Sequence, residues 1–153
     1  MLKPVLLSAV LAATALVAPP PASAAMFFGN YAMHIPDRRD FHTYIWAANS
    51  PCRNPDNSKR TDCIRVNIEP QPIAKAAYAS VDAWLADGRY TLVVDDPFGL
   101  RCGDIYYGPT IPTHDVYTWD ATTLAGQMVS TFAAGCDGAP GGQRTYPFFL
   151  TRM

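Results

Sequence analysis

In several short stretches of this chain apolar and polar residues alternate strictly, and Gly, Pro, Asn and Asp interrupt the chain between them. "CIRVNIE" sets Ile64, Val66 and Ile68 on one side and Arg65, Asn67 and Glu69 on the other. That is the pattern of a half-buried strand, whose successive side chains point to opposite faces. "RYTLVVD" turns Tyr90, Leu92 and Val94 inward, "GQMVSTFAA" sets Met128, Ser130 and Phe132 against Val129 and Thr131, and "YPFFLTR" aligns Tyr146, Phe148 and Leu150. Further strands are predicted over 27–33, 41–48, 74–85 with a break in the middle, 105–107 and 113–119. "ADGR" at 86–89 is a hairpin signal, because Asp-Gly accepts the positive φ angles that a tight turn needs. Only "PIAKAAYASVDAWLA" admits a helix, of two or three turns, and Pro72, Ser80 and its strand-like surroundings argue against one.

About eight short strands at this spacing imply an all-β fold, either a small antiparallel meander barrel or a β-sandwich. The short sequential connections favour the barrel slightly, and the sandwich stays open. "YTWDATTLAG" carries one Trp-Asp pair, whereas a propeller would repeat that unit along the chain. It reads instead as a strand ending at Trp119, a turn in which Asp120 and Thr122 or Thr123 hydrogen-bond the backbone, and a reversal at Gly126.

The first 24 residues follow a different rule. Lys3, an apolar run from 5 to 17, three prolines and the small-residue motif Ala22-Ser23-Ala24 form a secretory signal peptide. The run is shorter than the roughly 20 residues of a membrane span, so residues 25–153 are expected to be one exported all-β domain. Four cysteines in an exported domain imply two disulfides. The favoured pairing is Cys52–Cys63, closing "RNPDNSKRTD", and Cys102–Cys136, tying the loop after "DDPFGL" to "GCDGAPGG". No CxxC pair supports zinc.

A formal net charge of −1 with scattered basic residues leaves no footprint for a polyanion, so nucleic acid is excluded as a partner. Nothing in the chain calls for a cofactor. Candidate chemistry is concentrated in "MHIPDRRDFHTYIW", where His34 and His42 flank "IPDRRD". Pro36 and Asp37 suit the second and third positions of a turn, and the charges of Asp37, Arg38, Arg39 and Asp40 can pair locally while solvated. That describes a polar hairpin loop. The alternative is a metal site for a small secreted hydrolase, with His34, His42 and Asp37 or Asp40 as ligands, which requires the imidazoles to converge on one side. His114 and Asp115 are adjacent on a strand and point to opposite faces, and Asp95-Asp96 beside Pro97 reads as turn chemistry. No G-x-S-x-G elbow or phosphate loop is present. Among the aromatics, Tyr106 and Tyr107 in "CGDIYYGPTIPTHD" are the candidates for an exposed binding surface, together with Arg38 and Arg39.

The order of landmarks resembles small secreted proteins of mycobacteria and related actinobacteria of uncharacterised function. The matching features are "FFGNY", Trp46 followed by Cys52 and Cys63, the Arg89 strand, "GLRCGD", "YTWDATTLAG", "GCDGAPGG" and "YPFFLTR". Where such proteins often carry C-P-D-G, this chain has Cys102-Gly103-Asp104. The resemblance implies export to an actinobacterial envelope or medium and carries no activity to transfer. The resulting expectation is a non-catalytic binding protein whose partner is an envelope component, a small molecule or another protein. The other readings are the metal-assisted hydrolase and a structural or interaction protein without a ligand pocket.

Overall fold

The Asp-Gly pair at 87–88 adopts positive φ at both residues, 49° and 74°, and reverses the chain between two strands as tightly as two residues allow. The same up-and-down logic runs through the computed structural model, which describes residues 25–153. The predicted leader, residues 1–24, lies outside the described residues. Eight strands follow in order: β1 Gly29–His34, β2 Thr43–Arg53, β3 Lys59–Gln71, β4 Ala79–Ala86, β5 Arg89–Arg101, β6 Thr110–Asp120, β7 Ala125–Ala134 and β8 Pro140–Arg152. Each pairs antiparallel with the next, and β1 pairs with β8 through Tyr31↔Arg152 and Met33↔Leu150, so the sheet closes into a meander barrel. Closure removes the free edges of an open sheet. No helix among the described residues is long and apolar enough to cross a membrane.

The predicted alternations set the register. Ile64, Val66, Ile68, Tyr90, Leu92, Tyr117, Trp119, Met128, Phe148 and Leu150 are all buried. Along the barrel axis Trp46 meets Tyr117, Trp119 and Phe148 at centroid distances of 5.2, 5.4 and 5.9 Å, and Tyr90 stacks on Trp119 at 5.2 Å. Aromatic rings of this size fill a narrow eight-stranded barrel with side chains. The indole N–H groups of Trp46 and Trp119 find no acceptor there. At the end bearing the β4–β5 turn, Met26 is buried in the core cluster and the Tyr31 hydroxyl donates to the Phe27 carbonyl, so the stretch before β1 covers that opening.

Both disulfides form with the expected pairing. Cys52–Cys63 spans 11 residues and bridges β2 to β3, while Cys102–Cys136 spans 34 and joins two loops at the opposite end. Asp120 Oδ1 accepts from the backbone N–H groups of Thr122 (2.9 Å) and Thr123 (2.7 Å), as the Trp-Asp turn requires. Two predicted elements differ. Residues 105–107 form a turn rather than a strand, because Asp104 Oδ1 accepts from the N–H groups of both Tyr106 and Tyr107 and curls the chain. The 74–85 segment becomes a strand only from Ala79, and the possible helix over 72–86 does not form.

The register yields a direct test. Leu92 is wholly buried while its neighbour Val93 is 43% exposed. Leu92→Ala should cost about 2–5 kcal/mol in urea unfolding, and Val93→Ala under about 0.5 kcal/mol. Equal losses would place the wrong face inward.

Candidate functional site

The β1–β2 connection, residues 35–42, folds over one end of the barrel rather than standing free. Pro36 and Asp37 occupy the predicted turn, closed by the Arg38 N–H donating to the Ile35 carbonyl at 3.3 Å. The turn then sends Arg38 down into the barrel, where it is only 9% exposed. A buried guanidinium needs acceptors on all sides. Arg38 Nη2 donates to Asp96 Oδ2 (3.3 Å) and the Gly99 carbonyl (3.1 Å), Nη1 lies 3.9 Å from the Met128 sulfur, and Nε is 3.7 Å from Asp40 Oδ2.

Asp40 is the hub of what surrounds it. Its Oδ1 receives Arg101 Nε (3.0 Å) and lies 2.6 Å from His42 Nδ1, and its Oδ2 accepts from the Tyr44 hydroxyl (2.8 Å). Burial works to raise the Asp40 pKa, but the Arg38 charge and the hydrogen bonds from His42 and Tyr44 outweigh it and hold the carboxyl below its ordinary value. Arg101 Nη2 reaches the Lys75 carbonyl (2.9 Å) and sits 2.9 Å from His42 Nδ1, while His42 Nε2 is 2.7 Å from the Ala74 carbonyl. The cluster thus ties the strap to the β3–β4 loop. The expectation of solvated, locally paired charges therefore does not hold for Arg38 and Asp40, because the strap packs them onto an aromatic interior that water cannot enter.

Asp115 is the other buried acid. It lies on the inward line of β6 with Thr113, Tyr117 and Trp119 and is 0% exposed. Among the described residues neither carboxylate oxygen has a hydrogen-bond partner of good geometry, although the hydroxyls of Ser130 and Thr113 stand beside it. Burial raises its pKa, against the smaller opposing influences of those hydroxyls and Arg38. The Thr113 hydroxyl is likewise buried and unpartnered.

Close to these acids the barrel wall opens. The β6–β7 pairing ends at His114↔Thr131, yet β6 continues with β5 to Arg101↔Thr110 and β7 continues with β8 to Ala134↔Pro140. The two hairpins splay apart, and Cys102–Cys136 rejoins them at their tips. Between them is a cleft of about 640 Å³ whose walls include Asp96, Pro97, Pro112, Thr113, His114 and Phe132. At its rim His114 Nδ1 is 2.7 Å from Asp95 Oδ1, both side chains being largely exposed. The space at the strap end, lined by Met33, Ile35, Arg38, Asp40, His42 and Tyr44, is about 50 Å³. That suits water rather than an organic ligand.

The candidates read from the sequence separate. His34 points outward from β1 and stacks on Phe149 at 4.7 Å, whereas His42 is buried with both nitrogens beside partners, so the two imidazoles share no site. Asp37 is exposed on the strap while Asp40 is inside. Among the described residues the one grouping of His, Cys, Asp or Glu tight enough for a metal is Cys52, Cys63 and Asp82, and both sulfurs are committed to the disulfide. Arg39, Tyr106 and Tyr107 are exposed: Arg39 donates to the Gly103 carbonyl, and Tyr106 packs on Phe41 at 5.0 Å. Sequence reasoning missed the Asp95–His114 pair, which the cross-strand register creates, and the long β5–β6 loop hides that register from counting. Compared with known proteins, the chain matches no family model, no curated protein and no solved structure.

The two buried acids should respond oppositely to neutralisation. Asp40→Asn leaves two buried guanidinium groups short of their counter-charge and should cost about 3–5 kcal/mol in urea unfolding at pH 7. A carboxyl depressed in the folded state stabilises above its unfolded value of about 3.9 and loses that contribution as pH falls through its folded value. Stability should therefore drop less steeply in acid in Asp40→Asn than in the wild type. Asp115, raised in the folded state, loses its contribution as pH rises, so Asp115→Asn should leave stability at pH 7 unchanged or higher. A large loss in Asp115→Asn, measured the same way, would show that its carboxylate is satisfied.

Proposed function

We propose that this protein is an exported, disulfide-braced binding protein of a bacterial envelope or medium, of the actinobacterial kind its landmarks resemble, acting without catalysis. Its ligand sits in the cleft between β6 and β7, not along the barrel axis. The observation that carries this reading is the contrast in space: stacked aromatics fill the axis, while the split wall holds about 640 Å³. That volume falls in the range of small-molecule sites, and its mixture of apolar walls with a few polar groups is their usual lining. Two disulfides suit an oxidising compartment. Cys102–Cys136 also holds the cleft's tips in place, which lowers the ordering cost of association.

A second reading rests on a separate observation. Tyr107 is 89% exposed, and its loop is fixed from within by Asp104 and from outside by Lys75 Nζ, which donates to the Tyr107 (3.0 Å) and Gly108 (2.8 Å) carbonyls. A rigid, outward-facing tyrosine is the kind of anchor that protein interfaces favour.

Native mass spectrometry of protein secreted by its own host distinguishes the two. An adduct lost on denaturation is expected in the wild type and in Tyr107→Ala, and is expected to be missing in Ala133→Trp, which fills the cleft. An adduct that survives Ala133→Trp and disappears in Tyr107→Ala would move the site to the tyrosine loop.

A further inference from the structure

The inner end of the cleft backs onto acceptors in the barrel interior, where Asp115 is wholly buried behind the cleft wall rather than part of it. Asp96 and Thr113 are cleft walls, and Asp115 is the next inward residue on β6 after Thr113. Against these stands one cation, Arg38, whose bonds run to Asp96, the Gly99 carbonyl and the Met128 sulfur, leaving both Asp115 oxygens and the Thr113 hydroxyl without a partner. Buried polar groups in folded proteins are almost always satisfied, and an unpaired buried carboxylate is among the most costly groups to leave so. At the rim, Asp95 adds a further acceptor beside His114, so the approach to the cleft favours positive charge over negative. Of the remaining walls, Pro97, Pro112, Phe132 and Ala133 are apolar and Thr131 is polar.

Resting on the cleft as the binding site, we infer that its ligand is a protonated amine carried on an apolar body, with the ammonium directed to Asp115 and Thr113 and the body against Phe132 and the two prolines. An ammonium is a compact point charge with three donors and no acceptor, which complements two carboxylate oxygens and a hydroxyl. A carboxylate or phosphate ligand would meet Asp96 on the cleft wall and Asp115 behind it, while the one cation nearby, Arg38, is already committed to Asp96 and the Gly99 carbonyl. The Asp115 carboxyl faces Arg38 from the strap, Asp96 from β5, the Tyr117 phenol on β6 and the Ser130 hydroxyl on β7. Burial favours its protonated form, and an ammonium favours the ionised one. Binding then strengthens as pH rises through the range in which Asp115 titrates, up to the point where the amine itself loses its charge.

The test uses three probes of equal length, hexylammonium chloride, 1-hexanol and sodium hexanoate, titrated into the mature protein with amide NMR and calorimetry at pH 7. Hexylammonium is expected to shift the amides of Thr113, His114, Thr131 and Phe132 and to bind roughly tenfold or more tighter than either other probe, the value of a charge-assisted bond. Asp115→Asn should remove that preference and leave 1-hexanol unaffected. Thr113→Val, which keeps the shape of the side chain, should weaken hexylammonium by a few-fold and serves if Asp115→Asn fails to fold. Equal binding of the three probes at the cleft would overturn the amine assignment while leaving the cleft as the site. Shifts produced equally by calcium chloride would assign a metal cation instead. No shift of cleft amides by any probe would overturn both the amine and the cleft.

Discussion

A guanidinium placed at the end of an aromatic barrel dictates much of what surrounds it. Arg38 is nearly excluded from water, and a charge in that position requires counter-charges and carbonyls close by. Asp40 from the β1–β2 connection, and Asp96 and the Gly99 carbonyl from β5, meet that need. Asp40 in turn gathers Arg101, His42 and Tyr44, and through Arg101 and His42 the strap is joined to the β3–β4 loop. One buried cation thereby fixes how the barrel is closed at this end. The approach of β5 is just as constrained: a Cβ on Gly99 would lie 1.8 Å from the Thr113 hydroxyl, so only glycine lets the bulged β5 lie against β6.

The consequence is that side chains fill the barrel along its axis. Its aromatics interlock there, and the strap cluster plugs the end that would be the mouth of a ligand-carrying barrel. Space of ligand size exists instead in the wall, where two hairpins part company above His114↔Thr131 and a disulfide limits how far they separate. A cleft made this way has backbone on both sides and a covalent tie across its top, so it is stiffer than a loop pocket. It also lies beside two of the poorly satisfied groups of the interior, Asp115 and Thr113. Polar groups left without partners in an otherwise well-packed core mark a site where a local rule has been broken, as happens at functional sites.

Much of the fold was legible in the chain because it rests on local rules. Alternation at 64–69, 90–95, 126–132 and 146–151 determines which residues face inward, Asp87-Gly88 determines a turn, and an even number of four cysteines points to two bridges. The strand at 105–107 was misread because Ile-Tyr-Tyr looks extended until Asp104 takes the N–H groups of both tyrosines. The charged run at 37–40 could be placed on a turn, but its solvation could not be judged from neighbours in sequence.

The sequence by itself determined the strands, their inward faces and the sulfur pairs, since each depends on residues a few positions apart or on the chemistry of one residue type. Only the tertiary structure decided that the sheet closes as a barrel rather than folding as a sandwich, because closure depends on β1 meeting β8 across the whole chain. It alone decided that Arg38 and Asp40 are buried, that His34 and His42 lie apart, and that Asp95 meets His114. The cleft has the same origin: it exists where pairing between β6 and β7 stops, and a missing pairing leaves no mark on either strand's own sequence.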